Sequence, residues 1–125
     1  MKIICPKENL LKGVNIVSKA VPSKTTMPIL ECILLDASGG EIKLTANDME
    51  LGIETKIQGI TEEPGKVALD AKIFSEIVRK LPDSDVTIQT DSGFQTLILC
   101  EKAKFSIPGK EGDDFAYLPE IEKDH

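Results

Sequence analysis

The sequence predicts an α+β domain built from an internally duplicated β-α-β-β-β unit, with two helices packed on one face of the sheet. Two amphipathic helical patterns indicate this class, because each follows a short apolar run and precedes three runs typical of strands. The halves overlay under an offset of about 64 residues, which superposes core positions of the two helices. We therefore expect a domain over residues 1–118 and the start of a linker over residues 119–125.

The first half begins with a short apolar strand that Pro6 ends. A helix is predicted from Lys7 to Val21, where Pro22 terminates it. Alternating apolar and polar residues, separated by turn signals, predict a meander of three strands after this helix: Glu31–Asp36, Glu41–Ala46 and Glu50–Ile57.

In the second half, Ile60–Pro64 is expected to be a loop, followed by a strand over Gly65–Leu69. Asp70 is the predicted N-cap of a helix over Ala71–Leu81. The apolar stripe of this helix is expected to contain Ile73, Phe74, Ile77, Val78 and Leu81. Three further strands follow, and the chain beyond them is predicted to be a polar loop: Asp85–Thr90, Phe94–Cys100 and Ala103–Ile107.

Charge is distributed unevenly along the chain. The 125 residues carry 15 basic and 21 acidic side chains, and this balance argues against binding nucleic acid with the whole surface. Through Lys24, however, lysines outnumber the single acidic residue Glu8, a balance of about +4 against about −10 in the rest. The three cysteines lie in apolar runs without metal-binding spacing, so we expect buried free thiols in a reducing cytoplasm.

The sequence contains no recognisable catalytic constellation. The single histidine is His125, and acidic pairs such as Asp48 with Glu50 fall at turns where carboxylates are ordinarily solvated. The segment Ser23–Thr26 lacks the glycines and the preceding strand of a phosphate-binding loop. We therefore predict no enzyme, no metal site and no cofactor.

Basic helix faces are the remaining candidate site. The first helix has Lys12 and Lys19 opposite its apolar face, and the second has Lys72 and Arg79, each pair about two helical turns apart. Helices packed side by side would present both pairs outward, although a solvated polar face explains the same pattern. Lysines act as point charges towards phosphate, so any contact with nucleic acid would be sequence-independent.

Four blocks of the sequence resemble the first domain of the bacterial sliding-clamp family, the DNA polymerase III beta subunit. They run from Met1 to about Tyr117 in the same order and spacing: MKIICPKENLLKGVNIVSKAVPSKTTMPIL, LTANDMELGIE, AKIFSEIVRKLP and KFSIPG. The resemblance implies the DNA-clamp (processivity) fold. It also implies one of three similar domains in a chain that forms a head-to-tail homodimeric ring around double-stranded DNA.

The resemblance also implies roles for individual residues. Lys24 and Lys72 match positions where the family places basic DNA-contacting residues, and helical geometry adds Lys12, Lys19, Arg79 and Lys80. Subunit-interface positions are matched by Ile77, Leu81, Phe105 and Ile107, which core packing would explain equally well. DNA polymerase III and the clamp loader would bind the full-length clamp through a cleft in later domains.

The edge strand predicted at Ala103–Ile107 would suit pairing across a subunit boundary. The resemblance thus implies a non-catalytic domain that helps encircle DNA, tethers the replicative polymerase and confers processivity. The alternative is a stand-alone protein-interaction module that uses a sheet edge without DNA, and a small enzyme is a weaker rival.

Overall fold

The described part of the chain folds into two antiparallel sheets with two helices. A computed structural model describes residues 1–21, 31–47 and 52–112. In these ranges, the helices are α1 (Lys7–Val17), which a 3-10 turn (Ser18–Ala20) extends, and α2 (Ala71–Lys80). The strands are β1 (Lys2–Pro6), β2 (Cys32–Asp36), β3 (Ile42–Asn47), β4 (Gly52–Ile57), β5 (Ile60–Glu63), β6 (Lys66–Asp70), β7 (Asp85–Thr90), β8 (Gln95–Cys100), β9 (Ala103–Pro108) and β10 (Lys110–Glu111).

The two halves exchange their first strands. One sheet has the order β5-β1-β7-β8-β9 and the other β10-β6-β2-β3-β4. Strand β1 thus joins the meander of the second half, with Ile3 opposite Ile88, and β6 joins that of the first, with Ile33 opposite Leu69. The predicted α+β class and duplication are confirmed. The sequence did not reveal that the strands divide into two sheets, because periodicity does not specify which strands pair.

Helix boundaries differ slightly from the predicted ones. The first helix ends at Val17 with a 3-10 turn, and Val21 has an extended backbone (φ −82°, ψ 123°). Val21 precedes a proline, whose ring disfavours helical geometry in the preceding residue. Asp70 caps α2 as predicted, since its Oδ1 accepts a hydrogen bond from the Ile73 backbone N–H at 3.0 Å.

The prediction of a loop at Ile60–Pro64 was wrong for Ile60–Glu63, which form β5 and pair with β1. Its sequence, ITEE, has no apolar alternation, and the strand exists because β1 offers an unpaired edge. Likewise, Lys110–Glu111 form β10 against β6, where a loop was predicted. Strands β5 and β10 occupy equivalent positions in the two halves, which is further evidence for the internal duplication.

The core lies between the helices and the sheets and draws on both halves. Leu10, Val14 and Val17 of α1 and Phe74 and Val78 of α2 are all completely buried. They pack with buried side chains of seven strands, including Ile3, Ile33, Leu44, Leu69, Ile88, Ile98 and Ile107. Because each sheet contains a strand from the other half, neither half has a complete core of its own.

The two helices sit differently on the sheets. Helix α1 lies against β3 and β4, whereas the main strand contacts of α2 are with β6 and β2. Gly13 permits the close approach of α1, since a Cβ there would lie 2.7 Å from Ile57 Cγ2 and 2.9 Å from Leu44 Cδ1. Its equivalent in α2 under the 64-residue offset, Ile77, is a bulky buried residue.

Candidate nucleic-acid interface

The outer face of α1 is polar, as its periodicity predicts. Its inward face contains Leu10, Gly13, Val14 and Val17, and these four residues are buried. Lys12 is exposed on the opposite face, and Lys19 is exposed on the 3-10 turn that follows. Both lysines therefore lie on the solvent side of the helical layer, where the sequence placed them.

The outer face of α2 carries three basic side chains. Lys72, Arg79 and Lys80 are exposed, whereas Phe74 and Val78 are completely buried. Lys80, which neighbours the apolar stripe in sequence, thus belongs to the surface. The prediction that Ile73 faces the core was wrong, because its side chain is 46% exposed. It follows the N-cap directly, and the inward positions of the first turn are taken by Ala71 and Phe74.

The helices contact each other and run in opposite directions. Lys7, at the start of α1, donates from Nζ to the backbone carbonyl of Arg79, near the end of α2, at 3.4 Å. A groove between Ser18, after α1, and helix α2 is lined by Lys72 and Arg79 together with the carboxylates Glu31, Asp70 and Glu76. A lysine beside the last carbonyls of a helix interacts favourably with the helix dipole. The contact of Lys7 could not be predicted from the sequence, because it depends on which helix end lies next to Lys7.

We call this outer surface the basic layer, formed by the exposed faces of α1, its 3-10 turn and α2. Each helical segment, residues 7–20 and 71–80, has three basic residues and one glutamate, whereas the whole chain carries a net charge of −6. Among the described residues, two ion pairs join strand or turn residues: Lys2–Glu62 and Lys56–Glu41, both at 3.4 Å. The positive charge of the basic layer is therefore not neutralised by an ion pair within the described ranges.

Lys24, the leading candidate from the resemblance, lies outside the described residues. The described chain stops at Val21 and resumes at Glu31, and both of these residues line the same groove as Lys72 and Arg79. The role of Lys24 as a DNA contact stays a prediction.

The four candidate interface residues are mostly part of the core. Ile77 and Ile107 are each 7% exposed and Leu81 is 3% exposed, whereas Phe105 is only partly buried against the core. Strand β9, which carries Phe105 and Ile107, occupies the edge of its sheet within the described structure, as predicted for Ala103–Ile107. An interface here would use the strand edge and Phe105 more directly than the three buried side chains.

Conditions for nucleophilic or metal chemistry are unfavourable in the described residues. Their His, Cys, Asp and Glu side chains do not form a group of three that could hold a metal ion. All three cysteines are buried, as predicted. Burial raises the pKa of Cys5 to about 12, with the negative charge of Asp85 adding to the effect, and burial raises the pKa of Cys32 to about 11. These thiols therefore stay protonated and unreactive near neutral pH.

Comparisons with known proteins agree on one family. The family description "DNA polymerase III beta subunit, N-terminal domain" matches residues 1–119. The beta sliding clamp of Bacillus subtilis is 38% identical over 133 residues, covering 100% of this chain and 35% of the relative. The beta sliding clamp of Synechocystis sp. is 37% identical over 130 residues, covering 98% of this chain and 33% of the relative.

Solved structures give the same result. A putative DNA polymerase III beta subunit from Eubacterium rectale superposes with a TM-score of 0.93 at 73% identity, covering 100% of this chain and 34% of that one. The DNA polymerase sliding clamp of Bacillus subtilis gives a TM-score of 0.90 at 39% identity, with 100% and 35% coverage.

The fold and the basic layer thus define a domain of the sliding-clamp class. The chain belongs to the DNA polymerase III beta subunit family and corresponds to its N-terminal domain. It spans about a third of the length of the relatives it matches.

Proposed function

We propose that this chain is the first domain of a ring-shaped clamp that encircles duplex DNA and holds a replicative polymerase on its template. The observation that carries the proposal is the basic layer, which collects positive charge on both helices of an acidic protein. A surface of this kind attracts the phosphate backbone, while an acidic exterior discourages DNA from binding elsewhere.

The chemistry of the basic layer favours sliding over sequence recognition. Lys12, Lys19, Lys72 and Lys80 are point charges that accept many phosphate geometries, and Arg79 is the single basic side chain there with a bidentate fork. Among the described exposed residues of the two helices, none is aromatic, so bases have no stacking platform. Lys24 would add one more phosphate contact. Affinity would be low, and residence on DNA would come from the closed ring.

We further propose that β9 meets the third domain of a partner chain in a head-to-tail homodimer. An edge strand with a partly buried phenylalanine supports this assignment. Phe105 would lie at the contact, while Ile77, Leu81 and Ile107 would support it from beneath, as their burial implies. Strand β4 occupies the equivalent edge of the other sheet and is available to the following domain of the same chain.

The remaining assignments follow from the family. DNA polymerase III and the clamp loader would bind through the later domains, so the chain itself would act without catalysis as part of the ring, in the cytoplasm. Within the described ranges, neither helix is both long and apolar enough to span a membrane.

The test uses the full-length protein, loaded by its clamp loader onto closed circular duplex DNA. We expect the protein to remain on the circle during gel filtration and to dissociate once a restriction enzyme linearises the DNA. Phe105→Glu should abolish retention by opening the ring, whereas Lys102→Glu, an exposed change in the turn before β9, should leave it intact. Urea unfolding of both variants checks that they are folded. Equal retention on linear and circular DNA would contradict encirclement.

A further inference from the structure

The sheet that contains β1 carries apolar side chains on its outer face, which points away from the helices. Cross-strand pairing places Ile4 of β1 between Ile60 of β5 and Thr87 of β7. Thr87 in turn lies opposite Leu99 of β8, and Leu97 lies on the same face of β8. Ile60 is 61% exposed, and the others are partly exposed. We call Ile4, Ile60, Leu97 and Leu99 the apolar row. The outer face of an antiparallel sheet is ordinarily polar, so this row is a candidate interaction surface.

The internal duplication shows that the fold does not require the apolar row. In the other sheet, the same cross-strand registers put different residues at the positions equivalent to Ile60, Ile4 and Leu99. They are a lysine, an alanine and a threonine: Lys110, Ala68 and Thr45. A second lysine, Lys43, lies at the position equivalent to Leu97. Both sheets cover the same core, so the apolar row belongs to one sheet and is not a requirement of the architecture.

The charged groups beside the apolar row are mainly carboxylates. On one side, Asp85 is exposed on the same face of β7. On the other side, the row borders a groove that is lined by Glu63 and Asp91. Lys2 also lines this groove, but its Nζ lies 3.4 Å from Oε1 of Glu62, which offsets its charge. Negative charge therefore flanks the row on both sides, and it favours basic groups over phosphate.

We propose that the apolar row docks an amphipathic helix of a partner protein, in which lysine or arginine flanks the apolar stripe. The row crosses four strands, a span of about 14 Å that a helix covers in about ten residues. Charge complementarity selects this partner, because the flanking carboxylates repel nucleic acid and anionic lipid. Lys104, opposite Leu99, limits the row on the β9 side. The row faces away from the basic layer and leaves the edge of β9 unused, so the inference stands independently of the proposed function.

Methyl NMR of the full-length protein, labelled at its isoleucine and leucine methyl groups, tests the inference. The probe is a synthetic helical peptide of leucine and lysine, with all leucines on one face. On titration, the methyl signals of Ile4, Ile60 and Leu99 should shift. The signal of Leu34, which is partly exposed on the outer face of the other sheet, should not. A peptide with glutamate in place of lysine should leave all four signals unchanged.

Variants that copy the other sheet sharpen the test. Ile60→Lys and Leu99→Thr should each weaken binding of the lysine peptide at this surface by about tenfold, as expected for one lost apolar contact. Leu34→Thr makes the same kind of change on the other sheet, so it is the matched control and should keep the wild-type affinity. Asp85→Asn, an exposed change, should weaken binding and reduce its dependence on salt. Urea unfolding checks that all four variants are folded.

Three results would overturn the proposal. The first is the absence of shifts at Ile4, Ile60 and Leu99 with millimolar lysine peptide. The second is equal binding of the glutamate peptide at these residues, because charge would then not select the partner. The third is cosedimentation with vesicles of anionic phospholipid that Leu99→Thr abolishes, which would assign the row to a lipid surface. None of these results bears on retention of the full-length protein on circular DNA.

Discussion

Single residues give the duplicated halves different roles. Gly13 and Ile77 occupy equivalent helix positions, yet Gly13 brings α1 close to β3 and β4, whereas Ile77 is a buried bulky residue of α2. A glycine inside a helix is destabilising by about 1 kcal/mol relative to alanine. The close contact with Ile57 and Leu44 supplies the structural reason for retaining it.

Gly13→Ala should therefore destabilise the chain, although alanine is the better helix former. The added Cβ would lie 2.7 Å from Ile57 Cγ2, so α1 or the strand must shift, and overpacking of this kind costs about 1–3 kcal/mol. The net loss in the free energy of unfolding should be about 1 kcal/mol in urea titration. Asn15→Ala, on the exposed face of the same helix, is the control and should be neutral or stabilising. An equal gain from both changes would refute tight packing at Gly13.

At the scale of elements, Asp70 determines where α2 begins. Asp70→Ala removes the 3.0 Å hydrogen bond to the Ile73 N–H and leaves that donor without its cap. The expected loss is about 1 kcal/mol in the free energy of unfolding, measured by chemical denaturation. Glu76→Ala, on the exposed face of the same helix, should change stability by less than about 0.5 kcal/mol. If the two losses were equal, the hydrogen bond would not be what stabilises the helix start.

The elements that local sequence determines were predictable, and those that depend on a partner strand were not. Asp70 and the apolar period located α2, and alternation located the six meander strands. Strand β5 was not predicted, because its mostly polar residues form a strand only by pairing with β1. The exchange of β1 and β6 between the sheets depends on long-range pairing, which a period of two residues does not encode.

In the candidate site, too, features set by local sequence could be predicted and those set by long-range contacts could not. The exposure of Lys12, Lys19, Lys72 and Arg79 could be predicted, because helical periodicity fixes which side of a helix faces solvent. The link between Lys7 and the Arg79 carbonyl could not, since it requires the antiparallel placement of two helices distant in sequence. The core burial of Ile77, Leu81 and Ile107 was one of the two alternatives, and an interface role remains a proposal.

At the scale of the whole molecule, the separation of charge decides how DNA would be held. The two helical segments, residues 7–20 and 71–80, are positive, whereas the other residues of the sequence carry the excess of acidic groups that brings the net charge to −6. Electrostatic contacts to phosphate release counterions, so binding should weaken steeply with salt. A layer with few basic groups makes few such contacts, and the isolated chain should bind duplex DNA barely or not at all at physiological salt. Tight, sequence-specific binding by the isolated chain in a gel-shift titration would contradict this account.

The salt dependence of DNA binding by the full-length protein measures how many phosphate contacts it makes. Binding to a short duplex is followed by fluorescence anisotropy as salt is raised, and the slope of log K against log salt is compared between variants. Lys72→Gln and Arg79→Gln should each make the slope less steep, by about 0.9 for every lost contact with duplex DNA and so by up to about 1.8 for the two copies in a homodimeric ring. Their relative affinities for unrelated duplex sequences should not change, because phosphate contacts carry no sequence information. Lys102→Gln, which removes one positive charge outside the two helices, is the matched control and should leave the slope as it is. If all three variants kept the wild-type slope, the DNA would lie away from the basic layer. A change in sequence preference would mean that Lys72 and Arg79 contact bases.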